Sequence, residues 1–132
     1  MRIPVHMFSK FGFIAALSLL SSSSLHAQAD YALGWKMNDT FGGRTFTSLQ
    51  LDLNVGTNYF PLNGGLRTSE NVITPVTGTC FLTGVGGLYC NMQADQFSMN
   101  FVVDPDLSGV YEVKNQNGLI ISTSSATFDP NI

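Results

Sequence analysis

"GTCFLTGVGGLYCN", residues 78–91, holds both cysteines of the chain on either side of a glycine cluster. Pairing Cys80 with Cys90 also matches Phe81 with Tyr89, Leu82 with Leu88 and Thr83 with Gly87, which leaves Gly84, Val85 and Gly86 as a three-residue hairpin loop. Gly86 falls where a type I turn followed by a left-handed residue needs glycine. The cysteines then face each other across two antiparallel strands. Opposed residues that lack mutual backbone hydrogen bonds lie about 4.5 Å apart at Cα, a distance a disulfide spans. The stretch therefore predicts a hairpin with a cross-strand staple. Other uses of the pair fit poorly: zinc wants four Cys or His ligands, and a thioredoxin-like centre wants two intervening residues where this chain has Phe81 to Tyr89.

Alternation spreads outward from this hairpin. Tyr31, Leu33, Trp35 and Met37 share one parity; so do Leu49, Leu51, Leu53 and Val55, and again Phe97, Met99, Phe101 and Val103. Gln50, Asp52 and Asn54 stand between the members of the second series, and Ser98 and Asn100 interrupt the third; period two with one apolar face describes strands half buried on a core. Turn chemistry punctuates the runs at "NDTFGG" (38–43), "NVGTN" (54–58), "LNGG" (62–65), "DPDLSG" (104–109) and "NQNG" (115–118). Glycine and asparagine there supply positive φ. No sustained apolar 3.6-residue period occurs, so helix is not expected. The expectation is an all-β domain, a small antiparallel meander of about eight short strands forming a sandwich or compact barrel.

The amino-terminal part reads differently. Arg2 and Lys10 precede the apolar run "FGFIAALSLL" (11–20), and "SSSSLHAQA" follows with Ala27 and Ala29 flanking Gln28. That three-part pattern predicts a secretory signal peptide over 1–29, cleaved after Ala29. A membrane span needs about 20 apolar residues and this run is about half as long. A single exported domain, secreted or periplasmic, is expected over 30–132, with no membrane span after cleavage. Export also favours oxidation of the cysteine pair.

Charge and missing residue types narrow the function. Both histidines, His6 and His26, lie in the signal segment, so imidazole chemistry is excluded from 30–132. That segment holds four cations, Lys36, Arg44, Arg67 and Lys114, against nine acids, a net charge of −5. Nucleic-acid binding, which needs clustered Lys and Arg, is not expected. No Ser-x-x-Lys spacing supplies a base for a hydroxyl nucleophile. Asp52, Glu70, Asp95, Asp104, Asp106 and Glu112 are the carboxylates from which a small glycoside-cleaving pair would have to come. Ordinary solvated side chains account for them as well, and no catalytic residue is assigned.

Two further stretches offer ligand chemistry. "DPDLSG" sets Asp104, Asp106, Ser108 and Gly109 at positions 1, 3, 5 and 6 of an EF-hand-type loop, with Glu112 at position 9. Position 12 is Asn115 instead of the bidentate glutamate, so calcium is a weak candidate beside a plain hairpin turn, and no cofactor is expected. "GTNYFPLNGG" (56–65) sets Tyr59 and Phe60 among turn residues. An exposed aromatic there would stack on a sugar or anchor a protein, whereas in a short strand alternate side chains would complete the core. Asn38-Asp39-Thr40 matches the N-glycosylation pattern, which matters in a eukaryotic secretory route.

Gly34-Trp35 on an early strand, followed by a meander, is similar in outline to the small up-and-down barrels of the lipocalin and streptavidin type. That resemblance, carried by two residues and the strand pattern, implies a carrier of an apolar or aromatic ligand and brings Trp35 forward as a binding residue. The reading the residues favour is a non-catalytic exported module acting through its surface on an unidentified protein or polysaccharide partner, with its oligomeric state open. The carrier is the alternative, and a carboxylate-based enzyme a second one.

Overall fold

A computed structural model describes residues 30–56 and 58–132; the signal-peptide reading of residues 1–29 lies outside them. Eight strands follow one another: β1 (Tyr31–Phe41), β2 (Arg44–Leu53), β3 (Phe60–Thr68), β4 (Ile73–Leu82), β5 (Leu88–Ala94), β6 (Phe97–Val103), β7 (Gly109–Lys114) and β8 (Ile120–Phe128). Each pairs antiparallel with the next, and β8 returns to β1, closing an up-and-down barrel with no helix among the described residues. Of the two architectures left open by the strand pattern, closure selects the barrel, which leaves no edge of full strand length.

Alternation places the core. Inward side chains of every strand meet on the axis, and Leu33, Trp35, Leu49, Leu51, Leu53, Leu66, Leu88, Met99 and Phe101 are fully buried. The period-two series from 31, 49 and 97 supply most of them. Val55 departs from its series: β2 ends at Leu53, and Val55 stands 57% exposed in the following loop, its N–H donating to Asp30 Oδ2 at 2.8 Å. Phe46 joins the core against the parity of Leu49, because the register shifts at this point against both neighbours, between Lys36 and Asp39 in β1 and between Phe46 and Ser48 in β2. Such irregularities bend the strand and re-aim its side chains.

Both barrel ends are stoppered. At one, Phe41 stacks on Phe46 (ring centroids 4.5 Å) and meets the edge of Phe97 (5.4 Å). Arg44 lies over the Phe46 ring, bonds Thr74 Oγ1 at 3.1 Å and pairs with Asp95 at 3.3 Å. At the other, the β6–β7 turn tucks Leu107 inside, and its carbonyl accepts the Trp35 indole N–H at 2.8 Å. The Trp35 ring also meets Phe101 edge-on at 4.9 Å. Gly109 makes room there, since a Cβ on it would stand 2.4 Å from the Phe101 ring.

The staple lies inside this core. Cys80 and Cys90 are bonded, directly opposite in the β4–β5 register with Cα atoms 4.0 Å apart, and fully buried. Phe81 opposes Tyr89 and Leu82 opposes Leu88, as the mirror pairing requires. Thr83 and Gly87 close the loop through a 3.0 Å backbone bond, and Gly86 takes the left-handed conformation at φ 91°.

Candidate functional site

A polar cluster centred on Asp39 lies on the inward face. Asp39 keeps the parity of Tyr31, Leu33, Trp35 and Met37 and opposes the inward Phe46. Its Oδ2 accepts the hydroxyls of Tyr111 on β7, at 2.7 Å, and of Ser122 on β8. Burial, and after it this hydrogen bond and the Asp39 charge, hold the Tyr111 hydroxyl well above its usual pKa. Burial, and then the charge of Asp30, likewise raise Tyr31. The cluster spans the one thin seam of the barrel. β1 and β8 pair through Trp35 with Phe128 and Lys36 with Thr127, the Asp129 N–H just past β8 donates to the Gly34 carbonyl at 2.9 Å, and beyond Lys36 the side chain of Asp39 takes over as the bridge. Its geometry is that of a clasp: acceptor and donors are mutually satisfied.

The outer wall carries a line of exposed apolar side chains. The registers of β4 to β7 bring Phe81, Tyr89, Val102 and Val110 side by side, all facing out. Tyr59, just before β3, prolongs the line and rests against Phe81 at 6.3 Å. Tyr59 is 44% exposed, Phe81 39% and Tyr89 37%. One pleat away runs a second line, Thr79, Asn91, Asn100, Glu112 and Thr123, again in register from β4 to β8. Asn100 Nδ2 donates to Glu112 Oε1 at 3.2 Å, and Lys114 Nζ lies 3.7 Å from the same oxygen. A cleft of about 530 Å³ lies where the two lines adjoin, with Tyr89, Val102 and Val110 on one side and Asn100, Glu112 and Thr123 on the other.

The residues singled out from sequence fall in three places. Tyr59 is on the wall, at the end of the apolar line. Phe60, 6% exposed, and Trp35, 0% exposed, point into the barrel. Alternation separates the adjacent aromatics, since Phe60 and Leu62 face inward. Asp104, Asp106 and Ser108 form the β6–β7 turn, where Asp106 Oδ1 accepts both the N–H (2.9 Å) and the hydroxyl (2.7 Å) of Ser108. Those two bonds, the hydroxyl's first, hold the Asp106 carboxyl below its usual pKa. Among the described residues no three His, Cys, Asp or Glu side chains converge as a metal-sized group, and Glu112 sits in the wall line instead of in this turn. Phe81, Tyr89, Val102 and Val110 were not singled out as a site from sequence. Their outward parity is readable strand by strand, but their alignment needs the register.

Comparison of the chain with protein-family models, with curated proteins and with solved structures returned no match.

Proposed function

We infer that the protein is a non-catalytic exported module that works through its outer wall, binding a macromolecular partner along Tyr59, Phe81, Tyr89, Val102 and Val110. The line itself carries this reading: five neighbouring outward positions are apolar, beside a line of amide, hydroxyl and carboxylate groups. Association is driven by burial of apolar area, and aromatic side chains dominate interface energetics because they bury much area with few rotatable bonds. Export is supported by the charged, apolar, small-residue pattern of residues 1–29 and by the buried disulfide, since such bonds belong to oxidising compartments. Among the described residues no helix is long and apolar enough to cross a membrane.

The test is retention of proteins and polysaccharides from the source organism's envelope on the immobilised protein, compared with the Tyr59→Ala/Phe81→Ala/Tyr89→Ala variant. Retention weakened about tenfold or more, as expected when interface hot spots are truncated, supports the reading; equal retention contradicts it.

The closed up-and-down meander favours the ligand carrier as a second reading, and the side chains filling the axis and both ends weigh against it. Trp35 reports on the matter directly. A guest on the axis would displace Phe101 or Leu107 and shift the indole emission, and the surface reading expects no shift across a library of apolar ligands.

A further inference from the structure

We propose that the partner of the outer wall is an uncharged polysaccharide, seated in the cleft between the apolar line and the amide line. The inference rests on the outer-wall reading above and adds the chemical class of the ligand. A pyranose ring presents C–H groups on its faces and hydroxyls around its edge, so it needs an apolar platform beside a row of hydrogen-bonding groups. The register builds that pair of surfaces. Tyr89, Val102 and Val110 form the platform, and Asn91, Asn100, Glu112 and Thr123 stand one pleat further along the same strands. Amides and a carboxylate both accept from and, for the amides, donate to sugar hydroxyls.

Charge decides against an ionic partner. The two lines contain one formal charge, Glu112, and it is held between the Asn100 amide at 3.2 Å and the Lys114 ammonium at 3.7 Å. An anionic glycan or nucleic acid would find no basic cluster here. A protein partner would be served by the apolar line alone, which gives no role to a matched amide line in register with it. The cleft of about 530 Å³ opens along the junction of the two, where a ring stacked on Tyr89 brings its edge hydroxyls to Asn100 and Glu112.

The test is electrophoresis of the disulfide-intact protein through native gels containing hydroxyethylcellulose, laminarin, glycogen or mannan, with heparin as the anionic probe. Retardation by at least one neutral polymer is expected, with affinity lowered about tenfold or more in Tyr89→Ala and in Asn100→Ala and unchanged in Asn131→Ala. Both changes face solvent, and unchanged circular dichroism checks that the fold survives. No retardation by any neutral polymer, retardation by heparin alone, or retardation indifferent to both Tyr89→Ala and Asn100→Ala overturns the proposal. If the neutral polymers fail while Tyr89→Ala still abolishes retention of an envelope protein, the polysaccharide is refuted and the outer-wall reading stands.

Discussion

Trp35 shows what a single side chain contributes when it closes a barrel end. Its ring fills the axis against Phe101, and its N–H satisfies the carbonyl of Leu107, the residue that stoppers that end. Trp35→Phe keeps much of the ring but leaves the carbonyl unpaired, so a loss of about 1–3 kcal/mol is expected in urea unfolding, the desolvation cost of a buried orphan acceptor. Tyr111 makes the second residue-scale prediction. Its folded pKa is raised, first by burial and then by Asp39, so the unfolded chain loses this proton at lower pH than the folded one. Stability from this group is whole below about pH 10 and falls above it by up to about 1.4 kcal/mol per pH unit until the folded hydroxyl itself ionises. Unfolding curves from pH 9 to 11.5 should show that decline in the wild type and a shallower one in Tyr111→Phe, with Tyr31 contributing what remains.

At the scale of elements, the β4–β5 hairpin is the part most nearly specified by its own residues. Gly86 fixes the loop, the mirror pairing fixes the register, and the staple then lies inward because Cys80 and Cys90 share the parity of Val76 and Leu88. A disulfide wholly within the core is shielded from thiols, so its reduction in native buffer should be slow and accelerate with urea as the barrel opens. Fast reduction without urea would show that the hairpin opens alone. Once reduced, the protein should lose about 2.5–3 kcal/mol, the chain-entropy value for a loop of this length. β1, β2 and β6 were legible because each carries an apolar run of one parity, and the turn signals between runs gave a count of about eight strands, whereas β3, β4 and β8 lack a clean alternation and the strand order appears only in the closed barrel. Phe46 was not legible, since its even position contradicts Leu49 and only the register shifts resolve the conflict. Asp39 left a signal, an acid in an otherwise apolar odd-numbered series from Tyr31 to Phe41, that acquires meaning only when β7 and β8 come round to meet it. The apolar line from Phe81 to Val110 depends on three successive registers and the amide line on four, and periodicity within one strand carries no information about how it aligns with the next.

For the whole molecule, closure is uneven. The meander pairs β1 through β8 along most of their lengths, whereas the returning seam has two paired positions, Trp35 with Phe128 and Lys36 with Thr127. Local opening follows the least-paired elements, so in hydrogen exchange the β8 amides bonded to β7 should exchange ahead of those between β5 and β6. Asp39→Ala, which removes the clasp to Tyr111 and Ser122, should widen that gap; uniform exchange around the barrel would contradict this account of closure. The filled axis and the patterned wall are the two sides of one claim, that the barrel is a packed scaffold and its exterior the working surface. The most direct measurement is heteronuclear shift mapping of the isotope-labelled protein titrated with the source organism's envelope polymers. The account predicts perturbations confined to the wall, at Tyr59, Phe81, Tyr89, Asn100, Val102 and Val110, with the methyls of Leu33, Leu51 and Met99 silent. Perturbed core methyls beneath a silent wall would contradict it and return the interior as the site.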